Sequence, residues 1–341
     1  MSGRVRKPLL RRRGLWWTVG SLVGVVAATA TAFVVSPWPG SLLVRNVFEQ
    51  NGARVLKAME KHAPAGVEYV EDIQYRPDDR DALLDLYFPE GTDAQLPTVV
   101  WIHGGAWISG GEADDVPYFK IIAAEGYTVA GVDYSLAPER TYPTAVHQLN
   151  DALAYLVENA ERLHIDPDRI VLAGDSAGAQ LASQLAVLTT SPDYAAELQL
   201  SPALADHQLR GVVLNCGIYD LSRLVGGSGL VGWGADESMW AYTGSRNFTD
   251  SPVLQQMSTI NHVTAAHPPA YISGGNGDPL TAVQSKPLAQ RLADLDVDVT
   301  TLFWPEDHTP ALPHEYQFDL DTSEGQTALQ ATLNFIGQRL R

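Results

Sequence analysis

The chain is 341 residues long, 45% apolar and 18% charged, with a net charge of −17. That balance supports a globular core and excludes wholesale disorder, and so acidic a chain repels nucleic acid and anionic lipid headgroups. A single cysteine, Cys216, excludes an intrachain disulfide; within the apolar run "VVLNCGIYD" it reads as a small buried hydrophobe.

In chain order, residues 1–14 hold six Lys or Arg and no acid, which reads as a basic cytoplasmic tail. Residues 15–35, "LWWTVGSLVGVVAATATAFVV", are 21 residues without a charge. As a helix they are long enough to cross a hydrocarbon core of about 30 Å. Trp16 and Trp17 stand where indoles favour the interface, and the basic flank keeps the N-terminus in the cytoplasm and exports the rest. The expected location is the cell membrane, single-pass, with the domain that follows extracytoplasmic. The alternative is a cleaved signal peptide and a secreted protein, because "ATA" at 28–30 and 30–32 offers small residues at the right spacing. The anchor is preferred because the apolar run continues through Phe33, Val34 and Val35. "SPWPG" closes the span with turn formers. Residues 36–64 are an amphipathic linker, helical or a broken pair over 41–61, that either lies on the membrane or covers the domain behind it.

From residue 65 to 341 the pattern is that of one α/β domain. Strands are expected at 67–75, 83–88, 98–103, 128–134, 169–174, 210–216, 270–274 and 298–304. Helices are expected at 114–125, 143–162, 176–190, 281–295 and 323–340. Near-continuous apolar strands alternating with helices predict an eight-stranded, mostly parallel sheet with helices on both faces. No crossover fits between the first two strands, so the sheet begins antiparallel. The long segment 221–267 breaks the alternation and reads as a cap-like insertion.

The motif "GDSAG" at 174–178 follows the strand "RIVLAG" and opens a helix, the context in which G-x-S-x-G presents a nucleophile on a tight turn. Read without that context, Ser176 is only a helix cap. A serine hydroxyl needs a base, and active residues of open α/β sheets gather beyond the carboxyl ends of strands. His308 follows the strand "DVTTLFW" within four residues and is the expected base; His314, in the same loop, is its rival. Asp278, in "AYISGGNGDPL", is the expected acid, with Asp220 as the alternative at another strand end. "WIHGGAW" (101–107) sits at the oxyanion-loop position, making the amides of Gly105, Ala106 and Ala177 the expected oxyanion donors. His103 reads as structural.

Together these stretches resemble the alpha/beta-hydrolase superfamily, and within it the hormone-sensitive-lipase-like carboxylesterase/lipase family. "HGGAW" resembles the oxyanion motif and "GDSAG" the nucleophile motif. "VDYSLAPERTYPTAVHQLNDALAYL" (132–156) resembles the Y-R-L-A-P-E stretch, with Ser135 in place of arginine, and "GDPL" resembles the acid loop. The likeness covers about 65–340. It implies the alpha/beta-hydrolase fold and cleavage of carboxylic esters through an acyl-enzyme, with Ser176 as nucleophile, Asp278 as acid and His308 as base. It implies no cofactor and no metal. The family often has Gly-Phe after its histidine, where His308 is followed by Thr-Pro. The expected substrate is a small-molecule or lipid ester, with Trp107, Trp233, Trp240 and Tyr242 as candidates for an acyl pocket. Membrane contact is expected through the N-terminal helix. A serine peptidase on the same triad and a non-catalytic binding module of this fold are the alternatives.

Overall fold

The computed structural model describes the backbone over 10–224 and 227–341, and side chains from residue 21 onward. Eight strands form one sheet in the order β1-β2-β4-β3-β5-β6-β7-β8. They are β1 (Val67–Gln74), β2 (Leu83–Pro89), β3 (Leu96–Ile102), β4 (Thr128–Val132), β5 (Ile165–Asp175), β6 (Leu209–Asn215), β7 (Ala270–Gly274) and β8 (Val299–Phe303). β1 pairs antiparallel with β2, and β2 antiparallel with β4; every later pairing is parallel. Each strand lies where the apolar runs place it. β4 and β7 are buried throughout, as strands covered on both faces must be. β1 is mostly exposed and carries Glu68, Glu71 and Asp72, charges that discourage edge-to-edge pairing.

The helices in chain order are α1 (Leu10–Val35), α2 (Trp38–Met59), α3 (Val116–Ala124), α4 (Thr144–Glu158), α5 (Ser176–Thr190), α6 (Pro192–Leu198), α7 (Gly229–Thr243), α8 (Pro252–Met257), α9 (Lys286–Ala293) and α10 (Ser323–Leu340). Strand side chains alternate between faces, so two cores form. Val100, Ile102, Ile170 and Leu172 face the side covered by α4, α5 and α9. Val99, Trp101, Val171 and Ala173 face the side covered by α3 and α10. The segment 221–267 contains α7 and α8.

The N-terminal segment forms two helices with an 83° bend between Val35 and Trp38. α1 includes the backbone of the expected span, but side chains are described only from residue 21; from 21 to 31 every one is exposed. Among the described residues no single helix is long and apolar enough to cross a membrane. Most of the basic tail, 1–9, lies outside the described residues. α2 is one unbroken helix that packs on the domain, with Gly40 against α7, Ser41 buried and Met59 in the core beneath α3.

Candidate active site

Ser176 is the first residue of α5, immediately after β5, with φ +49°. That left-handed conformation is costly for a residue with a side chain, and the surrounding packing holds it. A Cβ on Gly178 would lie 2.0 Å from the Ile102 carbonyl oxygen, and one on Gly174 would lie 2.5 Å from the Gly178 carbonyl carbon. The two glycines of "GDSAG" therefore let α5 press its backbone against β3 and turn Ser176 outward at the carboxyl end of the sheet.

The histidine that meets Ser176 is His314. Its Nε2 lies 2.9 Å from Ser176 Oγ, and its Nδ1 lies 2.9 Å from Asp278 Oδ2. Asp278 is buried and its other oxygen accepts the Leu280 amide at 2.9 Å. His308, the base expected from its nearness to the strand end, is elsewhere: its Nε2 pairs with Glu324 Oε1 at 3.0 Å and its ring packs on Trp304. The reason is the path of the loop after β8. Asn276 Nδ2 donates to the His308 carbonyl at 2.9 Å, Asn276 Oδ1 accepts the Leu312 amide at 2.9 Å, and the Gly277 amide donates to Leu312 O at 2.8 Å. The loop is thus stitched to the Asp278 loop, and the residue delivered over Ser176 is six positions beyond His308. Asp220, the alternative acid, instead accepts from the Ser222 amide and pairs with Arg223.

Burial disfavours a proton on His314, while contact with Cys216 and the hydrogen bond to Asp278 favour one; the net effect holds its pKa well above the ordinary imidazole range. Burial pushes the Cys216 thiol up as well. It is uncharged near neutral pH, so we hold the Asp278 carboxylate responsible for the basicity of His314. Cys216 is buried, as expected, but at the end of β6 its sulfur also stands beside this group. Among the described residues, Cys216, Asp278 and His314 bring ligand-type atoms within 4.8 Å of one another, as do Asp72, Asp85 and Glu112.

Gly105, Ala106 and Trp107 all have positive φ, at +88°, +52° and +61°. Left-handed conformations at three successive residues turn the chain sharply just after β3. Neither the Gly105 nor the Ala106 amide donates to a protein acceptor among the described residues. Behind this loop His103 stacks on Tyr134 at 4.3 Å and keeps a lowered pKa through burial, consistent with a structural part. Below it lies Asp175, whose Oδ1 accepts the Trp101 indole N–H at 3.1 Å. Asp175 and Asp115 are both buried, and burial pushes both pKa values well above the carboxylate range; the charge of Glu315 adds to the shift of Asp175, and that of Asp175 to the shift of Asp115.

Ser176 and His314 open into a cleft of about 550 Å³ whose far wall is α2, through Phe48, Gly52, Val55 and Leu56. This wall is held by Arg45. Its guanidinium makes a two-pronged pair with Glu139 at 2.8 and 2.7 Å and donates to the carbonyls of Ala137 and Ile108. Glu139 ends the "LAPE" stretch, and hydrogen bonding to Arg45 lowers its pKa. Trp107 and Tyr242 do not line the cleft; they stack on each other at 5.1 Å inside the core. Trp240 lies under Arg246 and is also buried. Arg45, Asn276 and the α2 wall escaped the sequence reading. Asn276 sits in a glycine-rich turn and reads as a turn residue; Arg45 carries no motif at all.

A profile of the BD-FAE family matches residues 84–292, more than half of the chain. The chain belongs to the BD-FAE family. The BD-FAE match spans β2 to α9, and so includes Ser176 and Asp278. The chain is similar to the esterase LipQ of Mycobacterium tuberculosis, at 27% identity over 78% of this chain and 61% of that one. It is also similar to the carboxylesterase NlhH of the same organism, at 32% identity over 59% of this chain and 63% of that one. It therefore spans less than two thirds of the length of these relatives. Esterase B from Lactobacillus rhamnosis superposes with a TM-score of 0.73 and 25% identity, over 89% of this chain and 96% of that one. The alpha/beta-hydrolase fold expected from the motifs is thus shared with solved esterases.

Proposed function

We propose that this BD-FAE family member is a serine hydrolase of carboxylic esters. The observation that carries the reading is the unbroken hydrogen-bonded line from Ser176 Oγ through His314 to Asp278, with both contacts at 2.9 Å. In this mechanism His314 takes the Ser176 proton as the hydroxyl attacks the acyl carbon. Asp278 holds the tautomer and stabilises the imidazolium. The oxyanion settles among the amides of Gly105, Ala106 and Ala177, each such donor being worth about 3 kcal/mol of barrier. His314 then returns the proton to the departing alcohol, and water repeats the sequence on the acyl-enzyme. The named esterases among the relatives favour esters over amides as substrate.

The second part of the proposal is location. The uncharged run 15–35, helical throughout, supports an anchor that leaves the catalytic domain outside the cytoplasm. The test of the chemistry is a fluorophosphonate probe with p-nitrophenyl butyrate turnover in parallel. The expected result is labelling of Ser176 and hydrolysis, both abolished in Ser176→Ala. Undiminished turnover in that variant refutes the assignment, and faster cleavage of a matched anilide than of the ester would favour the peptidase.

A further inference from the structure

α2 has two faces. One is tied down through Gly40, Ser41, Val44 and Arg45. The other, over the first three turns, exposes Trp38, Leu42, Leu43 and Val47 at 44%, 45%, 54% and 65%. Apolar residues at that level of exposure are ordinary singly, but not as a contiguous patch. The patch is extended by α7. Gly40 sits against Glu237, and Gly234 sits against Val44, so the two helices run antiparallel. The next turn of α2, Val47 and Phe48, is then level with the start of α7, where Leu230 and Val231 are 85% and 78% exposed. Phe48 also lines the catalytic cleft. An apolar strip therefore leads from the end of α1, along α2, to the mouth of the site.

The 83° bend between α1 and α2 decides what covers this strip. If α1 runs along the bilayer normal, α2 lies in the plane of the interface, the geometry of an amphipathic surface helix. Trp38 is then at the headgroup level, where indoles are favoured. Arg246, from the 221–267 insertion, donates to the Val34 carbonyl and so fixes the end of α1 to the domain. We propose that the outer face of α2 and the start of α7 rest in the lipid bilayer surface beside α1, and that the cleft draws neutral amphiphilic esters of acylglycerol type from that surface. The net charge of −17 argues for a zwitterionic surface entered by apolar contact, and against attraction to anionic headgroups.

The inference rests on the anchor and the ester-hydrolase reading above, and its test separates all three. The full chain is reconstituted in phosphatidylcholine vesicles. Cys216 is buried, so an environment-sensitive fluorophore attaches at an introduced thiol, Val47→Cys in one sample and Asp206→Cys, before β6 at the opposite end of the parallel strands, in another. The expected result is blue-shifted emission at 47, quenched about twofold by phosphatidylcholine spin-labelled near the headgroup, and water-like unquenched emission at 206. Emission at 47 as water-like as at 206 overturns the proposal. Leu43→Glu with Val47→Glu should lower turnover of a vesicle-borne diacylglycerol about tenfold and leave soluble p-nitrophenyl acetate within about twofold; equal loss on both substrates, or on neither, overturns it too. Carbonate extraction reads the anchor and acetate turnover reads the hydrolase, each independently of the docking.

Discussion

Two histidines six residues apart divide the roles so sharply that replacing each in turn tests the site. His314 lies 2.9 Å from both Ser176 and Asp278. In the proposed role of general base it would contribute about 10²–10⁴ in rate, or about 3–5 kcal/mol of barrier. His314→Ala should therefore cut kcat/KM on p-nitrophenyl butyrate by at least about a hundredfold. Its side chain is one-third exposed, so the fold should hold. His308→Ala removes one hydrogen bond to Glu324 and a ring contact with Trp304, a stability cost of about 1 kcal/mol. It should leave kcat/KM within about threefold, because among the described residues the His308 ring bonds to Glu324 and to none of Ser176, His314 or Asp278. Thermal unfolding and steady-state kinetics on both variants and the parent decide it. Equal kinetic losses, or a His314→Ala enzyme that keeps a tenth or more of its activity, would refute the assignment.

Asp278→Asn should lower kcat by about 10³–10⁴. The parent should also show an acid limb above the usual imidazole range: His314 works unprotonated, its pKa is raised, and activity is therefore lost as pH falls through that raised value. In Asp278→Asn the limb should move to lower pH; a limb that stays in place in a pH–rate series argues against Asp278 as the cause. Arg45→Ala removes a charged two-pronged pair and leaves the Ala137 and Ile108 carbonyls short of a donor. A loss of about 2 kcal/mol and faster proteolysis within α2 are expected, with Arg45→Lys intermediate; an unchanged melting temperature would show that α2 is held otherwise. Gly178→Ala places a methyl 2.0 Å from a backbone oxygen that cannot step aside. It should cost about 3 kcal/mol in chemical denaturation and displace Ser176 enough to abolish labelling; a stable, fully labelled variant would contradict the close approach.

The sheet was legible because its strands are short apolar runs that need burial on both faces, and because turn residues separate them. The placement of Ser176 and Asp278 beyond strand ends was legible because local chain chemistry makes their turns: glycines where α5 meets β3, and glycines before Asp278. His314 was not, because distance along the chain from a strand end says nothing about how a loop is folded back. Here the route is set by Asn276, a residue in a different loop. The helices of 221–267 were missed for another reason. α7 buries residues on several sides, including Gly232, Glu237 and Trp240, and so lacks the one-sided periodicity that marks a surface helix. α2 was recognised as amphipathic, yet amphipathicity names a face to be covered and not the surface that covers it.

The residue beside the nucleophile is an acid, and on charge alone that is a poor neighbour for a reaction that builds negative charge on oxygen. Burial alters the electrostatics. Asp175 shares its enclosure with Asp115, and two anions so enclosed would repel one another as well as lack water. Both carboxyls therefore hold their protons to higher pH than an ordinary carboxylate does, and Asp175 accepts the Trp101 indole N–H from within that enclosure. The more fully this floor keeps its protons, the weaker the field it sets against negative charge beside the amides of the oxyanion loop. A rise in pH that strips that enclosure of its protons installs the opposing charge from within, and so works against acyl transfer by a route separate from the titration of His314.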